Sequence, residues 1–358
     1  MNKLSDLTPR KQTRPVQVGA LTIGAKNPVV VQSMTNTPTQ NVSATVAQIT
    51  DLEAAGCELV RVAVPDQEAA ARLGTIKSQI QVPLVADIHF QHELALQAVA
   101  AGVDKIRINP GNIGGKEPVK EVVEACAQEG VAMRIGVNAG SLAPEIRDKY
   151  ETPCADALVE SALKYVKFCQ RLDYYNTVVS LKSSQVPTVV AANRRFSEES
   201  DCPLHLGVTE AGGYPDGAVK TAVGLGGLLG EGIGDTIRVS LTGDPVREIE
   251  VAYNILQASG RRQTRPEIIT CPTCGRLSYD LESVAAEVKE RLAGSDLAIR
   301  VAIMGCVVNG PGEAREADLG IAGGEGEGLL FRNGKVLRRV DQSQMVDALM
   351  EEIEAMQE

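Results

Sequence analysis

AAGCELVRVAV (residues 54–64), AAGVDKIRINP (100–110) and QEGVAMRIGVN (128–138) share one reading: helix end, glycine, strand, arginine. The glycine supplies the left-handed turn that stops a helix, and a strand follows at once. Working outward, short β-rich apolar runs recur at Val29–Thr35, Glu58–Val64, Pro83–Phe90, Asp104–Asn112, Met133–Ser141, Tyr175–Ser183, Pro203–Gly212 and Asp235–Gly243, with amphipathic helical stretches between them. In the first such stretch Ser43 stands where a cap is needed, Val46, Ile49 and Leu52 share a face, and Gly56 ends the helix. Eight strands alternating with helices fit a parallel, TIM-type (β/α)8 barrel better than an open sheet. The barrel is expected over residues 1–258, followed by a small α/β domain over 265–358.

The texture breaks after Ala258, where SGRRQTRPE reads as a linker. Beyond it come a strand, a helix over Leu281–Leu292, a strand over Ala298–Ile303 and a loop. A hairpin follows, with Asn333-Gly334 between Leu329–Phe331 and Val336–Leu337, and then a last helix over Met345–Met356. The net charge of −10 and the absence of Trp argue against a nucleic-acid partner. No apolar run suits export or a membrane span, so a cytoplasmic protein is expected. Eight cysteines in that compartment indicate metal binding, redox work or plain burial rather than disulfides.

CPTCGR places Cys271 and Cys274 at the spacing that lets two thiolates reach one metal centre, and MGCVVNGPGE adds Cys306. A closed zinc site needs four Cys or His ligands. The histidines, His89, His92 and His205, all fall in the other domain. Glu313 is the best local fourth ligand. A hard carboxylate among soft thiolates is displaceable by a substrate oxygen, which suits a catalytic iron–sulfur cluster. Structural zinc is the alternative reading. The remaining cysteines, Cys57, Cys126, Cys154, Cys169 and Cys202, lack ligand spacing and read as small buried hydrophobes.

Catalytic groups of such barrels collect at the C-terminal ends of the strands. There the sequence offers Asp87, His89, Asn109, Asn138, Lys182, Glu210, Arg238 and Ser240, with Arg61, Arg107 and Arg134 inside the strands. Five cations on five strands suit a phosphorylated small molecule, a diphosphate above all, because the guanidinium fork matches phosphate oxygens. The alternative is that two or three of them pair with acids under the helices. A transferase barrel with a zinc appendage and a non-catalytic iron sensor are the rival functions.

CPTCGR, MGCVVNGPGE, EGIGDTIRVSLT, VADIHF and RIGVNAGSL together resemble the bacterial 4-hydroxy-3-methylbut-2-enyl diphosphate synthase family of the non-mevalonate isoprenoid route, over about residues 14 to 355. The resemblance implies a TIM-type barrel and a small domain whose 4Fe–4S cluster is held by Cys271, Cys274, Cys306 and Glu313. It implies an oxidoreductase that reduces 2-C-methyl-D-erythritol 2,4-cyclodiphosphate by two electrons, drawn from flavodoxin or ferredoxin. It also implies a homodimer with an active site shared between subunits. On this footing Arg61, Arg107, Arg134, Lys182 and Arg238 take the diphosphate, and Asn138 and Ser240 add hydrogen bonds. Glu210 is read as the proton donor, with Asp87 and His89 sharing or supporting that role.

Overall fold

The computed structural model describes residues 7–277, 279–306, 317–324 and 326–356. The chain forms two compact units that divide between Arg262 and Gln263.

The first unit opens with a hairpin, β1 (Val16–Val18) and β2 (Leu21–Ile23), turned at Gly19 with φ 55°. Strands of three residues carry too little alternation to be read from sequence. The barrel strands are β3 (Val30–Met34), β4 (Leu59–Val64), β5 (Leu84–Ile88), β6 (Lys105–Ile108), β7 (Ala132–Asn138), β8 (Thr177–Lys182), β9 (His205–Leu206) and β10 (Thr236–Ile237). They run parallel in the order β8-β7-β6-β5-β4-β3-β10-β9, and a parallel bridge between Val179 and Leu204 closes the ring. Helices α1 (Val42–Ala54), α2 (Gln67–Lys77), α3 (His92–Ala100), α4 (Lys116–Glu129), α5 (Pro144–Lys149), α6 (Ala155–Arg171), α7 (Val186–Glu199), α8 (Asp216–Gly230) and α9 (Val246–Ala258) fill the connections. The architecture is the expected (β/α)8 barrel.

Local details differ from the sequence reading. Helix α1 is capped by Asn41, whose side chain accepts from the Ala44 N–H at 3.2 Å, and Ser43 instead donates to Asn41. The cap lies one residue before the helix, where its oxygen can reach an unpaired amide. The last two expected strands shrink to two residues each, because the chain beyond them turns into rim loops with positive φ at Glu210, Gly212 and Gly243. The expected linker begins later than Ala258. Arg261 donates to the backbone oxygens of Leu229 and Gly230, and Arg262 forks onto Glu58 at 2.6 and 2.8 Å.

Strand alternation sorts the barrel's residues. Val60, Val62, Ala86, Ile88, Ile106, Ile108, Ile135, Val137, Val179 and Leu181 face outward and share one core with the helices. Each such Val, Leu or Ile side chain contributes about 1.5–3 kcal/mol by leaving water, and that stabilisation offsets the cost of a charged interior. The inward set begins at the bottom with Val30, Leu59, Val85, Ala132 and Val178, which pack on Val16, Val18 and Ile23 of the hairpin. The hairpin therefore seals the N-terminal mouth. Above this apolar plug the same parity sends Arg61, Asp87, Arg107, Arg134 and Lys182 into the interior.

In the second unit β11 (Glu267–Thr270), β12 (Arg300–Met304), β13 (Leu319–Gly323), β14 (Glu327–Arg332) and β15 (Lys335–Asp341) form one mixed sheet in chain order. The first three strands are parallel and the last two antiparallel. Helices α10 (Leu281–Arg291) and α11 (Met345–Glu354) pack on it through Leu281, Val288, Met345, Leu349 and Ile353. Asn333 and Gly334 both take positive φ, 49° and 73°, as a type I′ turn needs. Strand β13 went unread because LGIAG alternates too weakly. Among the described residues no helix is long and apolar enough to cross a membrane.

The N-terminal segment is pinned by Asp235, a buried carboxylate that accepts from Arg10 (2.8 Å), Thr13 (3.0 Å) and the Leu204 N–H (2.9 Å). Removing one partner of a buried pair strands the other, at a cost of about 3–5 kcal/mol. Asp235→Ala is expected to lower the denaturant midpoint of the barrel, followed by circular dichroism because the chain has no Trp. Arg10→Ala, whose partner keeps two other donors, is expected to cost less.

Candidate active site

The site begins with Asp87 at the upper end of β5. Its Oδ1 accepts from Arg107 Nη1 at 3.0 Å, and its Oδ2 lies 3.7 Å from Arg61 Nε. Arg107 and Arg61 come from the strands on either side of β5, and all three residues are buried. Arg107 Nη1 also meets His89 Nε2 at 2.5 Å. His89 Nδ1 lies 3.1 Å from the Asn112 side-chain nitrogen. Arg61 rests its Nε and Nη2 on the Met34 sulfur at 3.1 and 3.0 Å, a weak acceptor that leaves most of its donor capacity unused.

Two glycines make room for this crowd. A Cβ on Gly136 would lie 2.5 Å from Arg107 Nε, and one on Gly207 would lie 2.5 Å from Lys182 Nζ. Arg134, 2% exposed, has no hydrogen-bond partner for Nε or Nη1, and Arg107 has none for Nε, among the described residues. Among the described residues Lys182 Nζ meets only a neutral partner, His205 Nε2 at 3.2 Å. Arg238 is the exception: it pairs with Glu248 of α9 at 3.2 Å, and Glu248 also accepts from Ser33 and the Leu241 N–H.

The electrostatics follow from one carboxylate among many cations. Burial alone would raise Asp87, but Arg61, the His89 contact, Arg107 and Arg134 hold it well below the usual carboxylate range. Held low in this way, Asp87 orients the two guanidinium groups beside it. Burial and then neighbouring arginines pull Arg134 and Lys182 well below their ordinary values. Such a chamber is short of negative charge and rich in idle donors, which is the complement of a diphosphate.

The structure also brings in residues that the sequence reading passed over. Lys105, at the base of β6, is fully buried, and its Nζ has no partner among the described residues. Gln32 on β3 is buried with both amide atoms unpartnered. The signal for Lys105 was present in KIRI: alternation that turns Arg107 inward also turns Lys105 inward. Asn109 is buried and bonds Ser141 at 2.6 Å. At the rim, Asn138 and Ser240 are half-buried and Glu210 is exposed. Phe90 and Glu210 both hold positive φ, 66° and 52°, and non-glycine strain of that kind gathers at functional rims. His92, by contrast, starts α3 and meets Glu93 and Glu121.

In the second unit Cys271 follows the end of β11 and Cys306 lies just past the end of the adjacent parallel β12, so the fold brings both to one edge of the sheet. Cys271 and Cys306 are half-buried and Cys274 is exposed. The Gly305 N–H donates to Cys271 Sγ at 3.1 Å, and a Cβ there would stand 3.3 Å from that sulfur. Soft sulfur donors suit iron–sulfur chemistry. The residues thus fit such a group in kind. Among the described residues no three His, Cys, Asp or Glu side chains are gathered tightly enough to hold a metal ion. Glu313 lies outside the described residues.

Lys105 offers a direct check on the crowding of charge. Burial, then Arg134 and Arg61, hold its pKa well below 10.5. Between its lowered folded value and 10.5 the unfolded chain therefore holds a proton that the folded chain has released, so stability rises with pH across that window. One such proton is worth up to about 1.4 kcal/mol per pH unit. Lys105→Met is expected to flatten the stability slope of the ligand-free protein within that window by up to that amount. Urea titrations at several pH values check this, and an unchanged slope would contradict it.

Residues 13–253 match the GcpE TIM-barrel domain and residues 267–355 match the GcpE protein C-terminal domain. Relatives named 4-hydroxy-3-methylbut-2-en-1-yl diphosphate synthase (flavodoxin) include those of Geobacillus thermodenitrificans and Anoxybacillus flavithermus. Each is 53% identical over 355 residues, covering 99% of this chain and 95% and 98% of the relatives respectively. Among solved structures, the dihydropteroate synthases of Stenotrophomonas maltophilia and Yersinia pestis superpose with TM-scores of 0.52 and 0.51, at 16% and 12% identity. They each cover 69% of this chain and 98% of their own, a likeness of barrel fold alone. With both domain families matched in order along nearly its whole length, the chain belongs to the GcpE family.

Proposed function

We propose that the chain carries out the reaction for which its relatives are named, the two-electron reductive ring opening of 2-C-methyl-D-erythritol 2,4-cyclodiphosphate to 4-hydroxy-3-methylbut-2-enyl diphosphate. The observation that carries this reading is the barrel interior, where buried cations with idle donors surround Asp87. A cyclic diphosphate supplies the missing negative charge and acceptors. Arg61, Arg107, Arg134 and Lys182 bind it, Arg238 reaches it from the rim while held by Glu248, and Asn138 and Ser240 add hydrogen bonds. Asp87 fixes the forks of Arg61 and Arg107, and His89 extends that network toward the rim.

In the reaction one ring C–O bond and one C–OH bond break, two electrons enter, a C=C bond forms, and the hydroxyl leaves as water. Loss of hydroxide is unfavourable near neutral pH, so a positioned acid is needed. Glu210 takes this role, because it is the exposed carboxylate on the β9 rim loop, held there by a strained backbone. A 4Fe–4S cluster would be held by Cys271, Cys274, Cys306 and Glu313. When bound it supplies single-electron transfer and a Lewis-acidic iron at the substrate. Flavodoxin, the donor in the relatives' names, is the proposed electron source, with ferredoxin as the alternative. The reading further takes the enzyme as a cytoplasmic homodimer whose subunits share active sites, as the family resemblance implies, with no nucleic-acid or membrane partner.

Protein purified without oxygen is expected to be brown, with about four irons and four sulfides per chain, and to convert the cyclodiphosphate with reduced flavodoxin. Colourless protein carrying one zinc and no turnover would sink the reading. Glu210→Gln should keep substrate affinity and cluster content yet lose about 10²–10⁴-fold in turnover. Full turnover by that variant would remove Glu210 as the acid.

A further inference from the structure

Among the buried polar groups that the proposed chemistry leaves unused, His205 is the most tightly placed. It opens β9, is fully buried, and touches two elements of the same barrel layer. Its Nε2 lies 3.2 Å from Lys182 Nζ of β8, and its Nδ1 lies 2.6 Å from Thr236 Oγ1, the residue paired with it on β10. Gly207, on the same inward face, leaves the space that Lys182 Nζ occupies. The lysine is thus held from the side and given a clear channel.

We propose that His205, backed by Thr236, is a positioning residue that aims the Lys182 ammonium at the substrate's diphosphate. The inference rests on the assignment of Lys182 to that diphosphate. Beside an anion Lys182 is an ammonium, which donates and cannot accept. His205 Nε2 must then accept, so the ring proton sits on Nδ1 and is donated to Thr236 Oγ1. Burial, with Lys182, Arg134, Lys105 and Arg61 around the ring, keeps the imidazole neutral, as that arrangement requires. A lysine stem has four rotatable bonds, and fixing it before substrate arrives removes an entropic cost from binding. Arg61 and Arg107 receive the same service from Asp87. Lys182 receives it from a neutral group, which leaves its charge uncompensated and available to the ligand.

The test is titration of the cluster-loaded chain with the cyclodiphosphate, comparing wild type with Lys182→Met, His205→Asn, His205→Gln and the double variant Lys182→Met/His205→Asn. The asparagine amide can still face Thr236 but has nothing at the position of Nε2, whereas the glutamine oxygen reaches that position. His205→Asn is expected to weaken binding about 10- to 100-fold. KM should rise with little change in kcat, and iron content and melting midpoint should hold close to wild type. His205→Gln should recover most of the affinity. The double variant should bind no more weakly than Lys182→Met alone, because both changes remove one interaction. Wild-type binding by His205→Asn, equal losses in Asn and Gln variants, or additive losses in the double variant would each overturn the inference while leaving the diphosphate site standing. Wild-type binding by Lys182→Met would instead overturn the site assignment, and this inference with it.

Discussion

Asp87 between Arg61 and Arg107 is the interaction on which the barrel interior turns. One ionised carboxylate fixes two guanidinium groups from neighbouring strands, and three further cations, Arg134, Lys182 and Lys105, share the same enclosed space without an acidic contact of their own among the described residues. A folded chain pays for such an arrangement in stability. The outward face of the same strands, with its continuous aliphatic core, is what makes that arrangement tolerable. The apolar plug formed by the N-terminal hairpin keeps the chamber dry from below, so its charges act through a low dielectric.

The fold was legible because the barrel repeats itself. Gly56, Gly102 and Gly130 each take positive φ before a strand, as AAGCELV, AAGVDKI and QEGVAMR require. What escaped notice was short or weakly patterned: the hairpin strands of three residues, β13 with its glycines, and the cap at Asn41. Propensity is silent at that length, and tertiary pairing decides. The rim loops after β9 and β10 read as strand because their residues are apolar and β-branched, yet their glycines bend the chain away.

The site was legible as a set of residue types and less so as a set of roles. Alternation placed Arg61, Arg107, Arg134 and Lys182 inside together, and the same rule would have added Lys105 had its position one turn of alternation below Arg107 been weighed. Roles depend on neighbours that are distant in sequence. Asp87 sits between two guanidinium groups because Arg61 and Arg107 arrive from adjacent strands. Arg238 is partly compensated, because Glu248 reaches it from α9. His205 looks inert in PLHLG until β8 and β10 are placed on either side of it. The cysteine motif is local, so its spacing could be read directly, and the parallel pairing of β11 with β12 is what brings its two halves to one edge of a sheet.

The central claim is that the barrel is a chamber of under-compensated cations completed by a diphosphate. Calorimetric titration of the anaerobic enzyme with the cyclodiphosphate, run near neutral pH in two buffers of different ionisation enthalpy, tests it most directly. Binding should be accompanied by net proton uptake, because the anion favours the charged forms of Lys105 and Lys182, whose pKa values burial lowers. Binding with no proton exchange, or with proton release, would contradict the account.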